Sequence, residues 1–196
     1  MTLILASTSM ARQRMLADAG LAFRSVAPAC DEEAEKTRLR SGGLVPKAQA
    51  EALAELKALS VSTAEPGLVI GADQMLAIDG AVLDKPASTA EAREHLRRLR
   101  GRTHELITAA AVAREGAVIW RCVTVPRLVM RNFTDIFLES YLETAGAGAL
   151  RSVGAYQFEG LGSQLFERIE GDYFSVLGLP LLPLLAFLRE QGELAP

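Results

Sequence analysis

Asp73 stands inside the apolar run LVIGADQMLAI, where a carboxylate is costly unless it is hydrogen-bonded, holds a metal or does chemistry. A turn or bulge aspartate is the other reading of that position. Gly71 and Ala72 leave the neighbouring backbone open to the close approach of a ligand. In ASTSMAR, Ser7, Ser9 and Arg12 surround a strand-to-helix turn. Free N–H groups at a helix start, two hydroxyls and a guanidinium suit a phosphate group. Plain N-caps beside a solvated arginine fit the same letters. Lys85 precedes Pro86 in LDKP, and a compact ammonium in a rigid segment suits a point contact with phosphate. A loop lysine is otherwise a solvated one. Lys57 lies at the edge of a Leu53–Leu56 stripe, from which its stem can snorkel toward a cleft. Asp31, Glu32 and Glu33 follow Pro28 as an acidic run, either a solvated loop or a source of metal ligands.

The chain has no GxxxxGK[ST] loop, no HExxH and no GxSxG, and Gly160-x-Gly162 does not continue into a dinucleotide fingerprint. These absences disfavour a P-loop NTPase, a zincin and an α/β-hydrolase.

Alternating strands and helices must position the charged residues. Leu3–Ala6 reads as a buried strand, with Ser7 or Ser9 capping a helix that Gly20 ends. A strand over Phe23–Ala27 follows, then a helix from Pro46 to about Leu59 with Ala50, Leu53 and Leu56 on one face. Leu68–Ile78 and Ala81–Leu83 flank an Asp79-Gly80 hairpin turn. Ser88 and Glu91 form a capping box for a helix whose inner face is Ala92, His95, Leu96 and Leu99. Glu105–Ala113 and Val118–Val125 form a second hairpin, and Leu128–Arg131 a further strand. Thr134 caps a helix with Phe137, Leu138, Tyr141 and Leu142 inward; Ala155–Phe158 and Leu165–Ile169 read as short strands, and Leu181–Glu190 as a final helix. Hairpins mixed with β-to-α steps predict an α/β protein with a mixed sheet.

At 196 residues the chain predicts a single domain, 1–196, with room for two lobes. Its 21 basic and 24 acidic side chains leave a net charge of −3, a poor balance for a nucleic-acid binder. Arg97, Arg98, Arg100 and Arg102 therefore read as a solvated helix face, and His95 as a core histidine. His104 could meet a backbone group or a ligand. No run reaches the roughly 20 apolar residues that span a bilayer, and MTLILAS lacks a basic n-region. Cys30 and Cys122 form no CxxC pair and read as thiols in a reducing compartment. A cytoplasmic protein without nucleic-acid or membrane partners is expected.

The phrases LILASTSMARQRML, GADQMLAIDGAVLDKP, LRRLRGRTHELIT and GAYQFEGLGSQLFERIEGDYFSVLGLPL together resemble the Maf family of nucleoside triphosphate pyrophosphatases, in that family's order and over nearly the whole chain. The resemblance implies a Maf/ITPase-like fold: an elongated mixed sheet with flanking helices, its two lobes around a cleft. It also implies a house-cleaning hydrolase that cleaves a nucleoside triphosphate between its α- and β-phosphates with a divalent metal (Mg, Mn or Co), and it suggests a homodimer. Arg12, Lys57 and Lys85 match the residues that hold the triphosphate in that family. Glu32 falls on its V-D-E segment, with Cys30 in place of the valine, and joins Asp73 as a metal ligand; Asp73 matches its proton acceptor. The usual S-x-S-P-R-R is here Ser7-Thr8-Ser9-Met10-Ala11-Arg12, without the proline and the first arginine. Gln74 stands where the branch acting on thymidine and uridine triphosphates has threonine, and Glu159 where that branch has glutamine. Both, with the STS of the first loop, resemble the branch that acts on 7-methyl-GTP, although Tyr156-Gln157-Phe158 departs from it. A glutamate suits a guanine edge, since it accepts from N1–H and the exocyclic amine. The competing readings are a dTTP/UTP pyrophosphatase and a non-catalytic nucleotide-binding regulator of cell division.

Overall fold

A computed structural model describes residues 2–195 of the chain. In chain order its elements are β1 (Leu3–Ala6), α1 (Met10–Asp18), β2 (Arg24–Val26), α2 (Glu32–Ser41), α3 (Pro46–Ser62), β3 (Leu68–Ile78) and β4 (Ala81–Leu83). They continue with α4 (Thr89–Leu99), β5 (Thr103–Arg114), β6 (Ala117–Thr124), β7 (Arg127–Met130), α5 (Asp135–Ala145), β8 (Phe166–Glu170), α6 (Tyr173–Val176) and α7 (Leu181–Glu190). Short 3₁₀ turns fill residues 146–165. The strands form one mixed sheet, ordered β2-β1-β3-β5-β7-β8, with β4 added to β3 and β6 to β5. The protein is α/β, as the alternation of elements predicts.

Two compact units divide the chain. The first runs through Gln74 and adds Ile107–Thr124 and the segment from Asp172; the second is Met75–Leu106 with Val125–Gly171. In the first unit β1 pairs in parallel with β2 on one side and β3 on the other, with Ala6 opposite both Val26 and Gly71. The chain thus reverses its winding at β1, and the carboxyl ends beside such a switch point are where open α/β sheets bind ligands.

Side chains alternate across this sheet. Leu3, Leu5, Leu68, Ile70 and Ala72 pack with Met15 and Leu16 of α1 and Leu184, Phe187 and Leu188 of α7. Ile4, Ala6 and Val69 take the other face with Val61 of α3. Each of these fully buried leucines and isoleucines contributes about 2 kcal/mol of transfer free energy. In the second unit β4 returns along β3 through the expected Asp79-Gly80 turn, and β7 lies antiparallel between β5 and β8. No helix among the described residues is long and apolar enough to cross a membrane.

The structure corrects three local expectations. The acidic run is not a loop: Asp31 is the N-cap of α2, its Oδ1 accepting from the Ala34 amide at 3.0 Å, and Glu32 opens the helix. Ala155–Phe158 is not a strand, because Gly154 and Ala155 both take left-handed conformations, at φ 75° and 62°. On α3, Leu56 is only half-buried, and Lys57 instead lies among Ala50, Leu53, Ala54, Ala58 and Val61 on the inner face.

Candidate active site

Gly71 explains why a lysine lies on the inner face of a helix. A Cβ there would run into the Ala54 carbonyl and the Ala58 amide, so α3 lies directly on the backbone of β3. The glycine admits a helix, not the ligand its openness suggests. Asp73 is two residues further along the same face of β3, and Lys57 lies between Ala54 and Ala58 in sequence, so this contact brings the two side chains together. Lys57 Nζ donates to Asp73 Oδ1 at 2.7 Å and also lies 2.8 Å from Glu32 Oε2. Lys57 and Asp73 are 6% and 4% exposed, so the pairing is what makes their burial tolerable. Asp73 Oδ2 is buried and has no hydrogen-bond partner.

Glu32 reaches the cluster from the first turn of α2, and its Oε1 meets Lys36 at 3.1 Å, one turn along that helix. Burial alone would raise its pKa, but contact with Lys57 and Lys36 outweighs burial and carries it down to about 2. Glu32 therefore stays ionised at neutral pH. Cys30 is half-buried near this group; desolvation outweighs the nearby Lys57 ammonium and raises its pKa, which keeps the thiol protonated.

The first loop is tied down from several sides. Ser9 caps α1, and Ser7 Oγ accepts from the Ser9 amide at 3.1 Å and from Arg12 Nη1 at 3.4 Å. Ser25 donates to the Ser7 carbonyl at 2.7 Å. Arg12 joins β3 to the turn after α6, donating from Nε to the Gly178 carbonyl at 2.7 Å and from Nη1 to the Ala72 carbonyl at 3.0 Å. Desolvation lowers its pKa despite the opposing fields of Asp73 and Glu32; an arginine nevertheless stays charged. Its hold on Gly178 needs that residue's φ of 104°, which a side chain would strain.

Gln74 faces away from Asp73, as its neighbour in a strand must. Its Nε2 lies 2.9 Å from Thr108 Oγ1, 3.0 Å from the Ser175 carbonyl and 3.1 Å from the Val176 carbonyl. Those acceptors occupy its donor hydrogens, leaving the amide oxygen as the group it can present.

The first unit thus gathers Ser7, Ser9, Arg12, Glu32, Lys57 and Asp73 around the carboxyl end of β1 and the middle of β3, with Gln74 on the opposite face. Lys85 and Glu159 belong to the second unit. Lys85 is exposed, two residues beyond β4, and Glu159 is exposed in the turn that ends at Gly160. Gly178, Thr108, Ser175 and Lys36 are partners to which the sequence reading assigns no role, although the first three lie within the phrases that carry the resemblance. Lys36 carries a local signal of its own, its spacing of four from Glu32. His104 meets no ligand-like surface: it is 1% exposed, with Nε2 at 2.7 Å from the Tyr156 hydroxyl. Arg97, Arg100 and Arg102 pair with Glu94, Asp135 and Asp79 on the surface, as a solvated face should.

Among the described residues no three His, Cys, Asp or Glu side chains gather as a metal-holding group. The donor set nevertheless suits magnesium or manganese, which take one or two protein carboxylates together with substrate phosphates. Asp73 and Glu32, already drawn to one cationic group, and the unpartnered buried oxygen of Asp73 make a site that such an ion would fit.

A family model described as Maf-like protein matches residues 2–191. A nucleoside triphosphate pyrophosphatase of Hyphomonas neptunium is 53% identical over 185 residues, covering 94% of this chain and 93% of that protein. Another, of Rhodospirillum rubrum, is 53% identical over 192 residues, covering 97% and 95%. A 7-methyl-GTP pyrophosphatase of Rhizobium meliloti is 49% identical over 193 residues, covering 98% of this chain and 97% of that protein. Matches of that identity, running almost end to end, establish that the chain belongs to the Maf family.

Proposed function

We propose that this protein is a nucleoside triphosphate pyrophosphatase that hydrolyses its substrate between the α- and β-phosphates, with the Asp73 cluster as its reacting centre. The observation that carries the reading is the state of Asp73: one oxygen is held by Lys57 at 2.7 Å and the other is buried without a partner. A carboxylate fixed at one oxygen and open at the other can accept a proton from a water attacking phosphorus. Arg12, Lys57 and Lys85 supply the positive charge that a triphosphate requires, and the Ser7–Ser9 turn presents hydroxyls and the start of α1 to it. Asp73 and Glu32 would hold a divalent cation. When bound, it neutralises phosphate charge and acts as a Lewis acid.

The substrate reading leans to 7-methyl-GTP or a related guanine nucleotide. Glu159 offers acceptors to a guanine edge, and Gln74 offers its amide oxygen. The name of the Rhizobium meliloti relative supports the same direction. Incubation with a panel of canonical and 7-methylated nucleoside triphosphates and Mg²⁺ tests the whole reading. Monophosphate and pyrophosphate are expected in equal amounts, fastest from the 7-methylguanine substrate. A diphosphate with orthophosphate would refute α–β cleavage, and a preference for dTTP or UTP would refute the assignment of the base.

A further inference from the structure

Lys57 presents a difficulty for its simplest role. The lysine assigned to phosphate lies in contact with two carboxylates, Asp73 at 2.7 Å and Glu32 at 2.8 Å. These are the carboxylates that the proposed function assigns to a divalent cation. The backbone of α3 cannot withdraw, because Ala54 and Ala58 are pressed on Gly71, so any movement belongs to the four-carbon stem. Lys36 adds a second positive charge on Glu32. Lys36 also contacts Glu33 at 2.8 Å, and Arg12 feels the charges of Asp73 and Glu32, so three carboxylates and three cations already balance; a divalent ion arriving by itself would bring an uncompensated double charge beside Lys57. A triphosphate brings several negative charges and gives the Lys57 ammonium another set of oxygens to bond.

Resting on the pyrophosphatase reading, we propose that Lys57 couples the two ligands. Its ammonium holds the place of the divalent cation between Glu32 and Asp73 until a nucleotide draws it onto phosphate. Metal and nucleotide then bind together tightly and the metal alone binds poorly. Binding order follows as a consequence, and a protein with bulk Mg²⁺ around it keeps its carboxylates neutralised until substrate arrives. Coupling of this kind is reciprocal, so each ligand strengthens the other by the same factor.

Mn²⁺ binding to the full chain, followed by the loss of the free-ion electron paramagnetic resonance signal, tests this without turnover. Without nucleotide, Lys57→Met is expected to bind Mn²⁺ about tenfold or more tightly than wild type, the scale of an ordinary coupling between two sites. An α,β-methylene triphosphate analogue should strengthen Mn²⁺ binding more in wild type than in Lys57→Met. Equal or weaker Mn²⁺ binding by the nucleotide-free variant would overturn the coupling. Should Lys57→Met fail to fold, the Lys57 ammonium resonance of the wild type serves instead. The analogue without metal must shift it, and Mg²⁺ without analogue must leave it in place; a shift by Mg²⁺ alone overturns the proposal. Pyrophosphate release by the wild type separates this from the parent reading. A protein that releases pyrophosphate but shows no gain from Lys57→Met keeps its activity and loses the coupling.

Discussion

In the first unit a buried lysine holds two carboxylates, whereas in the second a buried histidine meets a phenol and neither carries charge. Lys57, Asp73 and Glu32 each have an opposite charge in contact. His104 takes the other course: desolvation pushes it down to about 4, and its Nε2 is hydrogen-bonded with the Tyr156 hydroxyl. Burial likewise raises Tyr141 to about 12, and its hydroxyl donates to the carbonyl of Ala155 at 3.0 Å. The neutral group braces the left-handed Gly154–Ala155 turn, four residues before Glu159. Stability alone does not account for the charged group, since well-packed apolar residues usually do as well as a buried ion pair. An orphaned carboxylate oxygen adds a further cost. The contrast teaches that burial by itself does not mark a reactive site; a buried ion pair with an unsatisfied carboxylate oxygen does.

Removing one partner from each group should therefore give unlike results. Lys57→Ala leaves Asp73 buried without its counter-charge, and is expected to lower unfolding free energy by about 3 kcal/mol or more and to weaken nucleotide binding. Chemical denaturation and binding titrations read the two effects. A loss below about 1 kcal/mol would mean that the site is wetter than its geometry shows.

The neutral group should reveal itself through pH. Unfolded histidine binds a proton near pH 6.5, whereas folded His104 resists one until about 4. The unfolded state therefore binds more protons between these values, and stability falls as pH drops from about 6.5 to 4, by up to about 3 kcal/mol. Glu32 acts in a lower window, since its contribution is lost only as pH falls from about 4.5 toward 2. Thermal melts of wild type and His104→Gln across pH 4 to 7 separate the two, and the variant should show the flatter profile.

Glu159→Gln should have the smallest effect. It alters one hydrogen-bonding edge on an exposed turn, and is expected to shift the ranking of guanine against uracil nucleotides by about tenfold without changing stability. An unchanged ranking places base selectivity in other residues.

Much of the scaffold is legible from local pattern. Leu3–Ala6, Leu68–Ile78, the Asp79-Gly80 turn and Leu181–Glu190 carry apolar runs or turn chemistry strong enough to fix their bounds. Helix α2 is not legible, because EEAEKTRLRS buries only Leu39 and shows no apolar stripe. The Ala155 turn is hidden for a different reason: nothing in GAYQFEG announces a left-handed alanine held by a distant tyrosine. The charged members of the site stand out as misplaced polar residues, Asp73 above all. Their pairing does not, since Lys57 reaches Asp73 only through the close packing at Gly71. Gln74 shows the limit most plainly. Its place next to Asp73 in sequence suggests a shared role, while the pleat of β3 sends it to the opposite face and to the Ser175 carbonyl.

Asp73→Asn tests the central claim most directly, when turnover and nucleotide binding are measured on the same preparation. The substitution keeps the shape of the side chain and removes its charge and basicity. Turnover is expected to fall by about 100-fold or more, with nucleotide affinity unchanged or tighter, because a carboxylate no longer faces the phosphates. Near-normal turnover in Asp73→Asn would contradict the account.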